Sequence, residues 1–186
     1  MLKIPEKFNY ATNIYLLIDW PNNLRHNLNI EHRYYFKGAG PMKKMIDIDF
    51  GSTRYDELVE LRYKILLEPL GLKFLDSHRQ KEMNYLHIGC IESLDDKLIG
   101  GLMLAPIDND TVRLLQVAVE TKYQHEGIGR AMVQYAEERS REAGYKKIFI
   151  NARLSAIHFY EKVGFQQEGD IFEEQGLTFA KMVKDL

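Results

Sequence analysis

The chain has a single cysteine, Cys90, among its 186 residues. It therefore holds no intramolecular disulfide and no zinc site built from several cysteines, and a reducing compartment suits it. Charge of one sign is also missing: 25 Lys and Arg stand against 27 Asp and Glu, a net of −2. That balance excludes an overall basic nucleic-acid binder, and no nucleic-acid partner is expected. Long apolar runs are absent too. The longest near the N-terminus, Ile14-Tyr15-Leu16-Leu17-Ile18, meets Asp19 at once. It is too short to cross a bilayer, and no small-residue cleavage site follows it. The chain is expected to be soluble and cytoplasmic, with no membrane partner. Internal repeats and low-complexity tracts are lacking.

What is present is globular in proportion, with 45% hydrophobic and 28% charged residues. At roughly 150 residues per domain, the length suits one domain with an appendage. Residues 1–41 differ from the rest. They carry five basic residues (Lys3, Lys7, Arg25, Arg33, Lys37) against three acids, crowd Asn and Tyr together, and show no sustained period. They end in Lys37-Gly38-Ala39-Gly40-Pro41, which reads as a linker. Met42 follows. Residues 1–41 are thus expected to be an extension, of little consequence if translation starts at Met42, or else a docking or dimer-exchange arm. The domain is expected to span 42–186, and a homodimer is compatible with it.

Within that domain, Met45–Phe50 alternates apolar and acidic residues as a half-buried strand does. Ser52-Thr53 ahead of Asp56 and Glu57 marks a helix start, and Leu58, Leu61, Ile65 and Leu66 continue it until Pro69. A short helix is expected near 75–83. Strands are expected at 85–91, 98–105 and 111–119. Residues 128–143 form the clearest helix, with Ile128, Ala131, Met132, Tyr135, Ala136 and Ala143 on one face. Arg130, Gln134, Glu137, Glu138 and Arg141 fall on the other, and Gly144 stops the helix. A strand at 147–152 follows, then a short helix capped by Ser155 with Ala156, Phe159, Tyr160 and Val163 as its stripe. Strands near 165–172 and 177–183 close the chain.

The stretch Val117-Ala118-Val119-Glu120-Thr121-Lys122-Tyr123-Gln124-His125-Glu126-Gly127-Ile128-Gly129-Arg130 runs from strand through turn into helix. The first N–H groups of a helix lack internal partners and carry the positive end of its dipole. Two glycines there let backbone approach a ligand closely, so a pyrophosphate suits the place, and Arg130 adds a charge. The pattern is not a dinucleotide fingerprint, because position 132 is Met where a third glycine is needed. It is not a P-loop, because no Gly-Lys-Ser/Thr is present. From local chemistry alone, a tight turn without a ligand stands level with a phosphate cradle.

Gln124-x-x-Gly127-x-Gly129 resembles the Q/R-x-x-G-x-G/A signature of the GNAT superfamily of N-acetyltransferases. Ala156-Ile-His-Phe-Tyr160-Glu-Lys-Val-Gly-Phe165 resembles a second family segment, A-x-x-x-Y-E-K-x-G-F. The order of elements from about 44 to 186 agrees as well, and Ile171–Leu177 looks most like the ElaA-type branch. The resemblance implies an α/β (α+β) fold: a mixed, mostly antiparallel sheet splayed in its middle, with helices on both faces. It implies acetyl-CoA as cosubstrate, without a metal. Backbone groups of Val117, Ala118 and Val119 would line the pantetheine arm. N–H groups of Gln124, His125, Glu126, Gly127, Ile128, Gly129 and Arg130 would hold the pyrophosphate, with Arg153 and Ala156 nearby.

It also implies the chemistry. A neutral amine attacks the thioester directly, in a ternary complex, and Tyr160 acts as general acid toward the leaving thiolate. Cys90 is not needed as a nucleophile. The base stays open among Glu120, His87 and water; His125 and His158 are expected to be exposed. Three positions depart from the family: His125 where glycine is frequent, Arg153 where Asn is frequent, and Phe179 where the ElaA-like ending often has His. Glu168, Asp170, Glu173 and Glu174 either draw a cationic amine or form a solvated hairpin. The acceptor, a small molecule or a peptide amine, is not chosen by the sequence. The alternative to an enzyme is an acyl-CoA sensor or regulator without turnover.

Overall fold

A computed structural model describes residues 35–36, 42–73, 76–174 and 176–186. The extension and linker expected in 1–41 lie outside the described residues, apart from Tyr35–Phe36. Those two form β1, antiparallel to Lys43-Lys44 of β2 (Lys43–Ile48). Helix α1 (Thr53–Arg62) follows, capped by Ser52, whose side chain accepts from the Tyr55 N–H at 3.1 Å. The helix loosens into a π turn (Tyr63–Leu67) and a 3₁₀ turn (Glu68–Leu70) that ends at Gly71. A short α2 (Asp76–Lys81) and a 3₁₀ turn (Glu82–Asn84) lead into a meander of β3 (Leu86–Glu92), β4 (Lys97–Pro106) and β5 (Thr111–Val119). Then come α3 (Ile128–Glu142), β6 (Lys147–Arg153) and α4 (Ile157–Lys162). The chain closes with β7 (Gln166–Gln167), β8 (Phe172–Glu174) and β9 (Leu177–Asp185).

The strand order is β1-β2-β3-β4-β5-β6-β9-β7, with β8 also on β9. Every pairing is antiparallel except β5 with β6. That parallel pairing covers only Thr111–Arg113 against Lys147–Phe149. Beyond it the two strands part, so the sheet opens as a wedge in its middle. A bulge drives the opening. The β4–β5 register shifts between Gly101 and Met103, and Gln116 takes φ +48°. An extra residue in one strand bends it and strengthens its twist.

Helices cover both faces. Ile88, Cys90, Val112, Leu114, Ile148 and Ile150 pack with Ile128, Met132 and Ala136 of α3. On the other face, Ile48, Ile91 and Leu98 pack with Tyr55, Leu58, Val59 and Leu61 of α1. Close approach of α1 depends on Gly101, where a Cβ would collide with Leu58 Cδ1 and sit 3.1 Å from the Ile88 carbonyl oxygen. Gly101→Ala is therefore expected to lower unfolding free energy by about 1–3 kcal/mol, read by urea titration.

Four local expectations change. The first strand stops at Ile48 because Asp49 and Ser52 close a turn around Gly51 at φ +76°. Glu137 is buried rather than solvated: its carboxylate takes Lys184 Nζ at 2.6 Å. Ser155 caps nothing. It lies inside a 3₁₀ turn, Leu154–Ala156, and α4 starts without a side-chain cap. The strand expected at 165–172 is split, because Gly169 at φ +78° interrupts it and only Gln166–Gln167 and Phe172–Glu174 pair with β9.

Candidate active site

The loop from β5 to α3 is built by alternating backbone hands. His125 and Gly127 both take positive φ, +66° and +84°. At His125 a side chain sits on a left-handed backbone, which costs about 1–2 kcal/mol. No side chain caps α3. The first backbone bond of the helix runs from the Ala131 N–H to the Gly127 carbonyl at 3.0 Å. The N–H groups of His125, Glu126, Gly127, Ile128, Gly129 and Arg130 donate to no acceptor among the described residues. The Gln124 N–H donates to the Thr121 carbonyl at 3.2 Å. Gln124 contributes differently: its Nε2 donates to the Val119 carbonyl at 3.0 Å.

Gly129 is not required by the fold. A Cβ there would meet Phe159 Cζ at 3.4 Å and Val119 Cγ2 at 4.0 Å, both ordinary contacts. The same distances place the tip of β5, the start of α3 and α4 side by side. Arg130 is exposed, with Nη2 3.4 Å from the Lys162 carbonyl at the end of α4. Ile128 turns its side chain into the core.

Along β5, the Glu120 N–H bonds to the Ile99 carbonyl and Ala118 stands opposite Gly101. Alternation then aims the backbone groups of Val117 and Val119 at the open edge of the wedge. Tyr160 lies on α4 with its ring packed edge-on against Phe159 at 4.9 Å and Phe165 at 5.6 Å. The residue is 4% exposed, yet its hydroxyl is not among the sealed, unpartnered atoms. Burial pushes its phenol above the ordinary value. Ala156 closes the turn just before α4. Arg153, at the end of β6, donates through Nη2 to the Leu66 carbonyl of the π turn at 3.1 Å. It stands in register with Phe179, which stacks on Phe172.

The histidines separate clearly. His125 and His158 are exposed, and His158 Nδ1 lies 3.4 Å from Glu161. His87 is sealed beneath α1 at 1% exposure, with Tyr55 edge-on at 5.0 Å and Glu82 Oε2 3.8 Å away. Burial pushes its imidazole below the ordinary value, with Glu82 opposing. Arg62 and Tyr55 complete this cluster: the guanidinium reaches Glu82 at 2.9 Å and the phenol at 2.8 Å. Glu120 pairs with Lys97 Nζ at 2.8 Å. Cys90 is buried, which pushes its thiol up to about 12. Of the acids near the C-terminus, Glu168 pairs with Lys181.

Sequence reasoning missed the long-range contacts that hold the loop before α3. Lys43 Nζ bonds to Glu126 Oε2 at 2.8 Å, and the Tyr123 hydroxyl donates to Glu92 at 3.0 Å. The one available signal was Lys43 sharing a strand face with the buried Met45. No helix among the described residues is long and apolar enough to cross a membrane.

The family model for the acetyltransferase (GNAT) family matches residues 53–165, which contain the β5–α3 loop, the wedge and Tyr160. The chain belongs to that family. Human N-acetyltransferase 8B is 28% identical over 86 residues, covering 42% of this chain and 38% of that protein. The chain thus spans well under half the length of that curated relative. Among solved structures, Escherichia coli ElaA matches with a TM-score of 0.64 at 18% identity, over 77% of this chain and 99% of ElaA. An aminoglycoside 6'-N-acetyltransferase complexed with coenzyme A matches with a TM-score of 0.64 at 18% identity, over 76% of this chain and 96% of that one. At such identities the likeness is one of fold: a mixed, mostly antiparallel sheet between helices.

Proposed function

We propose that the chain moves an acetyl group from acetyl-CoA to a primary amine by direct attack in a ternary complex, with Tyr160 as general acid. The observation that carries this is the run of six N–H groups, His125 to Arg130, that find no acceptor among the described residues, beside the wedge between β5 and β6. Unpaired amides at a helix start suit a diphosphate. The glycine that leaves a Cβ-sized space at 129 suits it too. The coenzyme-A-bound aminoglycoside enzyme, of the same fold, supports the choice of ligand.

Acetyl-CoA supplies an activated acyl carbon. The chain supplies position and protons. Val117 and the N–H of Val119 face the open edge, where a pantetheine amide adds like a strand, while Gln124 Nε2 holds the Val119 carbonyl. The incoming amine must be neutral to attack. Glu120 is engaged by Lys97 and His87 is sealed, so deprotonation runs through water. Tyr160 keeps its proton at neutral pH because burial raises its phenol, and it donates to the thiolate as the C–S bond breaks. No covalent enzyme intermediate forms, and buried Cys90 takes no part.

Acetyl-CoA with a panel of primary amines, read by free thiol, tests the reaction. Amine-dependent thiol release is expected, and binding without release would favour the sensor. Gly129→Val is expected to weaken acetyl-CoA binding by at least about tenfold, or about 1.4 kcal/mol, with the fold checked by circular dichroism. Unaltered calorimetric affinity would place the diphosphate elsewhere.

A further inference from the structure

Glu126 is the second residue of the six-amide run and carries the same sign as a diphosphate. Left free, its carboxylate would compete for those amides and repel the ligand. It is not free. Lys43 Nζ lies 2.8 Å from Glu126 Oε2, and the lysine side chain is 1% exposed while the glutamate's is 35% exposed. A fully exposed pair contributes little, but this lysine is sealed on a sheet strand and has few places to go. Lys43 stands in register with Glu92, whose carboxylate accepts from the Tyr123 hydroxyl. Its Nζ also lies 5.9 Å from the Tyr123 ring centre. On either side of Glu126 the backbone is left-handed, and at His125 that conformation is strained. Strain of this sort persists only where surrounding contacts hold it.

We propose that Lys43 is a positioning residue of the cradle. It neutralises the Glu126 carboxylate, ties it to β2, and so keeps the amides of 125–130 open to an anion. The inference rests on the coenzyme A reading of the site. Supporting the site from a rigid strand, rather than from the loop itself, keeps such geometry tight.

Calorimetric titration of the full chain with coenzyme A tests it in four proteins. Lys43→Met is expected to bind about tenfold more weakly than wild type, because the carboxylate is released beside the ligand. Lys43→Met combined with Glu126→Gln is expected to recover to within about threefold of wild type, although no ion pair remains. Glu126→Gln alone is expected to bind about threefold more tightly, because it leaves a cation beneath the phosphates. Weak binding by Lys43→Met that Glu126→Gln fails to restore would overturn the proposal, since a brace of the fold or a direct ligand behaves that way. Unchanged affinity of Lys43→Met would overturn it as well. Should Lys43→Met fail to fold, Glu126→Gln decides: tighter binding supports the proposal, and equal or weaker binding refutes it. No binding by wild type would instead remove the coenzyme A reading itself.

Discussion

Tyr160→Phe is expected to lower kcat about 100-fold at saturating acetyl-CoA, the scale of a lost general acid. The ring contacts with Phe159 and Phe165 survive the change, so the packing of α4 is kept. Only the hydroxyl is lost. Burial raises the phenol, so it remains a donor across the neutral range and adds no falling limb to the pH profile there. The rate should climb with pH as the acceptor amine loses its own proton, without a step near the histidine value, because His87 is sealed away. Steady-state rates and acetyl-CoA affinity, measured together across pH, check both points. An unchanged kcat would remove Tyr160 from the chemistry.

Arg62→Met is expected to lower unfolding free energy by about 3–5 kcal/mol, because it strands a buried carboxylate. Arg62 is fully buried against Glu82, which also accepts from Tyr55. Burial by itself pushes the Glu82 carboxyl up, but His87, Arg62 and Tyr55 outweigh it and hold the group at about 2. A depressed carboxyl stabilises the fold above its ordinary value of 4.5, and that contribution is lost as pH falls toward about 2. His87 is depressed too. The unfolded imidazole takes up a proton first, so stability begins to fall as pH drops through 6.5. Urea titrations at several pH values should show wild type losing stability in acid from that point. Arg62→Met should start lower and fall less steeply between pH 4.5 and 2, because its Glu82 has lost a cation. A wild type whose stability is flat in acid would contradict the buried-pair description.

Much of this architecture was legible in the chain. The 111–119 strand and the 128–143 helix follow from period, and Gly144 at φ +88° ends the helix as its lack of Cβ allows. The strand-to-helix turn around Gly127 and Gly129 was legible from its two glycines. Long-range partners were not legible. Glu137 reads as surface along its own helix, yet Lys184, 47 residues on, covers it. Arg62 and Tyr55 lie on α1, Glu82 on a 3₁₀ turn and His87 on β3, and no local period links a helix cation to a carboxylate 20 residues away. Lys43 and Glu126 are 83 residues apart. The bulge at Gln116 left no trace either, since its residue type does not favour φ +48°. Ser155 failed as a cap because the chain tightens into a 3₁₀ turn before α4 begins.

A crystal structure of the chain grown with coenzyme A is the most direct measurement. Density for the diphosphate on the N–H groups of His125 to Arg130, with the pantetheine arm along Val117 and Val119 in the wedge, is the expected result. A diphosphate bound elsewhere, or an empty cradle at millimolar coenzyme A, would contradict it.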